Sequence, residues 1–183
     1  YSVLCQVREK TSGYAQTADA FLEKNPHSLL VPQIKWHYAM NLFDDHNYKA
    51  AGEMLASVST DDLYTTQRVD YLFRKGYCDL ENHDLDSAWK NFLLVEGEPF
   101  SDYTLPSRYA LGYISYVNED FKTAVNWFEK SSRDSRFAAM SGYYIMESHF
   151  MLGNHDFVTS HGDEMYEIVP EERKPHLARI ISE

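Results

Sequence analysis

Histidine and carboxylate side chains are the groups of this chain that could hold a metal ion. The densest set lies near the C-terminal end, where His155 and His161 alternate with Asp156 and Asp163. His161 and Asp163 do not have a spacing used by known zinc or calcium ligands. His149 and His155 are separated by a polar corner, which would place them on opposite sides of it. We interpret the histidines as structural or solvent-exposed and expect no bound metal.

Other catalytic patterns are equally weak. The segment NHDLD, residues 82 to 86, has the oxygen-rich composition of a calcium loop, but it lacks the glycine at the sixth place and the glutamate at the twelfth. The sequence contains no glycine-rich phosphate loop, no Gly-x-Ser-x-Gly elbow and no His-Glu-x-x-His motif. We predict that the chain is not an enzyme and uses no cofactor. A site assembled from scattered residues remains the alternative.

The overall composition narrows the class of partner. The chain has 28 acidic against 17 basic residues, a formal net charge of −11, and no Lys/Arg cluster long enough to follow a phosphate backbone. We therefore expect no nucleic-acid ligand. No apolar run approaches the roughly 18 residues that span a bilayer, so we expect no membrane span. Cys5 and Cys78 are too few and too far apart to form a disulfide framework.

One pattern recurs along the chain at a nearly constant spacing. Residues 79 to 95 and 115 to 131 share an Asn, an Asp, a large apolar residue, an Ala and a Phe at one offset, as Asn82 and Asn118 show (118 − 82 = 36). Related copies precede and follow this pair. We therefore predict four linked repeats over residues 33 to 168, flanked by partial helices.

Each copy is predicted to form two helices joined by a polar corner. The first-helix segments are PQIKWHYAMNLF, VDYLFRKGYCDL, SRYALGYISYV and GYYIMESHFML. After each corner, apolar residues resume at helical spacing, as at Leu85, Ala88 and Phe92. Small residues recur at one position of each helix, where close packing requires them. They are Ala39, Gly76, Gly112 and Ser148 in the first helices and Ala51, Ala88, Ala124 and Ser160 in the second helices.

These residues resemble the tetratricopeptide repeat (TPR) family, whose repeat has a small residue at position 8, an alanine at position 20 and an aromatic residue at position 24. Gly112, Ala124 and Phe128 match this pattern. The resemblance implies an all-α fold, a right-handed superhelix of antiparallel helix pairs. The chain departs from the TPR pattern in two ways. Its period exceeds the family's usual 34 residues. In the last copy, Glu164 replaces the aromatic residue and Met165 is out of phase.

A narrower resemblance concerns residues 21 to 55, FLEKNPHSLLVPQIKWHYAMNLFDDHNYKAAGEML. A helix that closes on an aromatic residue and Pro-x-Ser, then a helix that ends at an Asx-x-Tyr-x-x-Ala corner, is similar to bacterial cell-envelope TPR proteins of the outer-membrane assembly lipoprotein and Tol-Pal coordinator types. This resemblance implies a periplasmic or envelope-associated scaffold. A cytoplasmic location is the alternative.

The TPR resemblance also implies a partner-binding groove, because positions 5, 9 and 12 of each first helix face inward in the family. The corresponding residues are Trp36, Met40, Phe43, Phe73, Tyr77, Leu80, Tyr109, Tyr113, Tyr116 and His149, together with Ile145 and Leu152. Tyr and Trp concentrate binding energy at protein interfaces. Packing of the same residues inside the protein is the alternative interpretation.

The residues in the groove indicate the chemistry of the partner. Some family members hold a terminal carboxylate with a Lys at position 5 and an Asn at position 9, but this chain has Phe73 and Tyr77 at those places. Asp44, Asp70 and Glu81 flank the row. We therefore expect a protein or peptide partner with apolar anchors and some basic groups.

Residues 1 to 183 are thus predicted to be a single all-α domain of TPR-like repeats that acts as a non-catalytic protein-protein interaction scaffold. Counting back 37 residues from Ala39 gives Ser2, so the chain is expected to begin inside a first helix. It would then be a fragment of a longer chain, or be closed by capping helices, and could self-associate through its ends. A structural spacer and a regulatory appendage of an enzyme are the alternative functions.

Overall fold

The computed structural model describes residues 2 to 183, which are all-helical and contain no β-strand. The predicted all-α class is therefore confirmed. Contacts divide the chain into two compact units: unit 1 ends at Asn91, and unit 2 runs from Phe92 to Glu183.

Unit 1 is a series of helices that pack on their neighbours in sequence. Its helices are α1 (Val3–Arg8), α2 (Tyr14–Lys24), α3 (Val31–Asp44), α4 (Tyr48–Ala56), a 3₁₀ turn (Thr60–Asp62), α5 (Thr65–Glu81) and the first part of α6 (Leu85–Glu96). Helix α3 packs on α1 and α4, and α4 packs on α5. The core between the first helices contains Val7, Ala18, Ile34 and Tyr38.

Unit 2 begins with the last part of α6 and is also a series of helices that pack on their neighbours in sequence. Its helices are α7 (Thr104–Val117), α8 (Phe121–Ser131), α9 (Ser135–Met151), α10 (His155–Ile168), a 3₁₀ turn (Glu171–Arg173) and α11 (Lys174–Ser182). Each helix packs on the next, and α9 also contacts both α7 and α11. Helix α11 lies in the C-terminal flank of the predicted repeats, and it buries Leu177 and Ile180.

Four corners with one backbone geometry join the paired helices. Each contains a residue with positive φ: His46 (59°), His83 (63°), Glu119 (61°) and Gly153 (74°). The amide of the residue after each of them bonds to the carbonyl five residues earlier, as Asp120 N does to Ser115 O at 2.9 Å. This is the hydrogen-bond pattern of a Schellman motif, which satisfies carbonyls at the end of a helix.

The residue that follows each left-handed residue lies directly before the first residue of the second helix. At the first three corners this residue also caps that helix, since the side chains of Asn47, Asp84 and Asp120 accept a hydrogen bond from a backbone amide three residues later. Such caps satisfy amides that have no partner within the helix. The predicted Asn/Asp-rich corners therefore serve both helices.

The corner spacing shows that the predicted register of the last copy is wrong by two residues. The left-handed residues are separated by 83 − 46 = 37, 119 − 83 = 36 and 153 − 119 = 34 positions. Asn154 therefore corresponds to Asp120, and Val158 to Ala124. Ser160, predicted to take the buried small position, is exposed, because α10 turns Val158 and Gly162 toward the core instead.

The small residues in the other copies occupy the expected places. Ala39, Ala51, Ala88 and Ala124 are fully buried. A Cβ atom placed on Gly112 would lie 2.8 Å from the Phe128 ring, and that ring is itself fully buried. Glycine at this position lets α7 and α8 approach so closely that the ring covers the helix backbone.

Replacing Gly112 with alanine should therefore destabilise unit 2. Overpacking of a dense core costs about 1–3 kcal/mol, which exceeds the gain of up to about 1 kcal/mol in helix propensity. The free energy of unfolding in urea measures the difference. Gly97→Ala is the matched control, because the atom nearest to the added Cβ would be the carbonyl oxygen of Leu94, at an ordinary contact distance of 3.5 Å. Equal stability of the two variants would contradict the close contact.

The corrected register can be tested by comparing two alanine substitutions in α10. Val158 is 2% exposed, so Val158→Ala should lower the free energy of unfolding by roughly 2 kcal/mol through lost burial and cavity formation. Ser160→Ala should change it by less than about 0.5 kcal/mol, as expected for an exposed position. If Ser160→Ala destabilised the protein more than Val158→Ala does, the result would support the register predicted from the sequence.

Candidate interaction surface

The predicted groove residues are divided between the units, six of them in unit 1 and six in unit 2. In unit 1, Trp36 is 4% exposed and lies against Tyr71, with the ring centroids 6.5 Å apart. Met40 and Leu80 are half-buried. Trp36 therefore offers little surface to a partner.

The remaining unit 1 residues, Phe43, Phe73 and Tyr77, form an aromatic cluster with Tyr48 at the α3–α4 corner. Tyr48 was not among the predicted groove residues. We call these four residues the unit 1 aromatic face. The centroids of Phe43, Tyr48 and Tyr77 form a triangle with sides of 5.3, 5.5 and 5.3 Å, and each pair is edge to face. Phe73 lies 6.3 Å from Tyr77. Edge-to-face packing fixes the rings in place before any partner arrives.

Charged side chains surround the unit 1 aromatic face. The Arg74 guanidinium lies 4.7 Å from the centre of the Phe43 ring, and its Nε donates to Asp70 Oδ1 at 2.6 Å. The Tyr77 hydroxyl interacts electrostatically with Glu81. Burial, and then Glu81 and Tyr48, raise the pKa of Tyr77 to about 12. The phenol is therefore protonated near neutral pH and acts as a hydrogen-bond donor rather than as a base.

In unit 2 the aromatic residues converge on one ring. We call the group Tyr109, Tyr113, Tyr116, Tyr143 and Tyr144 the tyrosine cluster. The centroid of Tyr144 lies 6.4 Å from Tyr109, 6.1 Å from Tyr113, 5.0 Å from Tyr116 and 5.3 Å from Tyr143. Tyr144 is buried and stacks on Phe128 at 5.0 Å with an interplanar angle of 10°. The cluster therefore rests on the packed α7–α8 contact.

The three predicted tyrosines of α7 have different environments. Tyr109 stacks on Phe137 at 5.4 Å and also contacts Phe128, and burial raises its pKa to about 12. Tyr116 is half-buried against Phe121. Tyr113 is 36% exposed. Tyr109 and Tyr116 therefore contribute mainly to packing, while Tyr113 presents a ring to solvent.

A carboxylate holds the phenols of the tyrosine cluster. Glu147 has only 12% of its side chain exposed and interacts electrostatically with the hydroxyls of Tyr116 and Tyr143. The His176 Nδ1 atom of α11 lies 3.3 Å from Glu147 Oε1 and 2.8 Å from the Tyr143 hydroxyl. Burial, and then Glu147, raise the pKa of Tyr143 to about 12 and also raise that of Tyr116. The phenol groups of Tyr116 and Tyr143 are therefore protonated near neutral pH and are held in fixed positions as hydrogen-bond donors.

Sequence reasoning missed Tyr143 and Glu147 because it assumed a spacing of 36 residues in the last copy, whereas Tyr144 corresponds to Ala110 (144 − 110 = 34) and is not one of the inward positions in either register. With the spacing of 34 given by the corners, Tyr143 corresponds to Tyr109 (143 − 109 = 34) and Glu147 to Tyr113 (147 − 113 = 34). The signal that could have found them is Gly153, which is suited to the left-handed corner position.

The predicted residue His149 lies instead at the α9–α10 corner. Its ring stacks on Phe157 at 3.7 Å, and Phe157 stacks on His161 at 4.2 Å. An open depression of about 520 Å³ beside His149 is lined mainly by corner residues. The two other groove residues predicted in this copy are half-buried: Ile145 in α9 and Leu152 directly after it.

Two kinds of site are not found over residues 2 to 183. No group of three or more His, Cys, Asp or Glu side chains in that range is arranged to hold a metal ion. Within the same range, every helix is too short or too polar to cross a lipid bilayer.

Stability should depend on pH through His149. Burial lowers the pKa of this imidazole below its ordinary value of 6.5; Glu129 opposes the shift and His161 adds to it. The unfolded chain then binds the proton more readily, so this contribution to stability is complete above pH 6.5 and is lost as the pH falls below it.

His149→Phe keeps an aromatic ring on Phe157 and removes the titration. Urea titration measures the unfolding free energy of the wild type and of this variant. Between pH 8 and pH 5 the wild type should lose more stability than the variant. The value at pH 8 serves as the internal control for packing. A difference that is constant with pH would contradict the prediction.

No protein-family model, no curated protein and no solved structure matches the chain.

Proposed function

We propose that this chain is a non-catalytic protein-protein interaction module built from TPR-like repeats. The observation that carries the proposal is the tyrosine cluster, in which the exposed ring of Tyr113 stands on a base of packed aromatic rings and of phenols that interact with Glu147. A rigid aromatic surface loses little conformational entropy on binding, which makes it suited to anchoring a partner.

The repeat assignment is supported by local geometry. Four Schellman corners recur at 37, 36 and 34 residues, and small residues are buried between paired helices of the first three copies. We propose that the pairs wind into a right-handed superhelix of the TPR type and that residues 1 to 183 act as one domain. The last spacing equals the TPR period of 34 residues.

The partner is proposed to be a protein or peptide segment with apolar anchors and some basic groups. An aromatic surface favours apolar anchors, and the net charge of −11 favours a basic partner at long range. The location is proposed to be the bacterial periplasm or cell envelope, on the basis of the sequence pattern over residues 21 to 55.

The proposal can be tested without knowledge of the natural partner. A phage-displayed library of random peptides, selected on the immobilised chain, should yield binders rich in apolar and basic residues. Synthetic versions of those peptides should bind Tyr113→Ser at least about tenfold more weakly than the wild type, because loss of an aromatic anchor costs more than 1 kcal/mol. Fluorescence anisotropy measures the affinities.

Ile168→Ser is the matched control, since Ile168 is an exposed apolar residue on a second helix of the same unit. It should leave the affinities within about twofold, as expected for a residue outside the interface. A selection that enriches no peptide would favour the structural spacer, and equal affinities for wild type and Tyr113→Ser would remove the tyrosine cluster as the binding site.

A further inference from the structure

The unit 1 aromatic face is bordered by carboxylates on both of its first helices. Asp44 follows Phe43 at the end of α3, and its side chain is 63% exposed. On α5, Asp70 lies one turn before Arg74, and exposed Glu81 is near enough to the Tyr77 hydroxyl to raise its pKa. Aromatic rings edged with carboxylates attract cations by both charge and the ring quadrupole.

The chain already places one guanidinium in this environment. Arg74 stacks over Phe43 at 4.7 Å while its Nε bonds to Asp70 at 2.6 Å and its Nη1 lies 3.4 Å from Asp44 Oδ1. A planar guanidinium can stack on a ring and bond to carboxylates in its own plane, which a lysine ammonium cannot do. Arg74 therefore shows that the geometry of this face suits an arginine side chain.

The face keeps negative charge after Arg74 is counted. Arg74 serves two carboxylates, and Asp44 is the more distant and the more exposed of them. Glu81 makes no ion pair within residues 2 to 183. Nearby Asp45 is paired with Lys10 at 2.5 Å, so it adds no net charge. Asp44 and Glu81 are therefore the carboxylates open to an external cation.

We propose that the unit 1 aromatic face binds an arginine side chain of the partner segment beside Arg74, with Asp44 and Glu81 as its ion-pair residues and Tyr77 as its aromatic contact. The inference rests on the proposed function, because it assumes a partner segment, and it assigns the basic groups of that segment to unit 1. An acidic segment is repelled by the same carboxylates.

Three fluorescein-labelled peptides of equal length and equal leucine content test the inference. Their polar positions carry arginine, lysine or glutamate. Anisotropy titrations of the full chain should show the tightest binding for the arginine peptide and none for the glutamate peptide. The affinity for the arginine peptide should fall as salt is raised, since exposed ion pairs are screened.

Asp44→Asn/Glu81→Gln should weaken binding of the arginine peptide about fivefold to tenfold, the combined effect of two exposed ion pairs. The matched control is Asp61→Asn/Asp62→Asn, which removes the same charge from exposed positions in the 3₁₀ turn of unit 1 and should change the affinity less than about twofold. Glu81→Gln alone leaves Asp44 and Asp70, which pair with Arg74, unchanged. This single variant should still bind the arginine peptide more weakly than the wild type, but the effect should be smaller than in the double variant. Thermal melting checks that each variant is folded.

The outcomes separate this inference from the proposed function. Equal binding of the arginine and glutamate peptides, or equal losses in the double variant and its control, would overturn the arginine assignment. If none of the three peptides binds while the random library yields binders sensitive to Tyr113→Ser, the arginine assignment fails and the interaction module stands. If neither the peptides nor the library yields a binder, both fail.

Discussion

The contact between Gly112 and Phe128 is the constraint on which the unit 2 surface depends. Because glycine has no side chain, the Phe128 ring reaches the backbone of α7. Tyr144 stacks on the same ring, with the centroids 5.0 Å apart. Tyr144 in turn positions Tyr113 and Tyr116. The spacing of one helix pair thus decides where the exposed aromatic group is presented, and a larger residue at Gly112 would displace the whole stack.

The two units present related surfaces with different chemistry. In unit 1 the rings are edged by Asp44, Asp70 and Glu81 with Arg74 between them. In unit 2 the carboxylate Glu147 is nearly buried, and it interacts with tyrosine hydroxyls. Desolvation makes a buried carboxylate a poor partner for an external cation. Charge recognition is therefore expected in unit 1 and aromatic recognition in unit 2.

Periodicity was sufficient to predict the helices, because the apolar spacing and the small residues are local features of the sequence. The first three corners were predictable for the same reason, since their Asn and Asp caps are part of the repeated pattern. The fourth was not, because Asp156 and Phe157 resemble Asp120 and Phe121 more closely than the true counterparts do. Two residues are more than half a helical turn, so the error turned the predicted face of α10 outward.

The candidate surface was predictable only in part. The sequence placed Tyr113 and Tyr77 among the surface residues, but it could not distinguish them from Tyr109, which has the same type and spacing. That distinction depends on neighbours contributed by distant segments, such as Phe137 against Tyr109. The role of Glu147 depends on hydroxyls from two helices and an imidazole from a third.

Glu147 also joins the surface to the end of unit 2. It interacts with Tyr116 of α7 and lies beside His176 of α11, so one carboxylate takes part both in ordering the tyrosine cluster and in docking the last helix. Two equilibria that share a residue are thermodynamically linked, and the linkage acts equally in both directions. A segment that binds more tightly to the ordered cluster must therefore also hold α11 more firmly in place, and whatever pulls on α11 must change the affinity of the surface by the same factor.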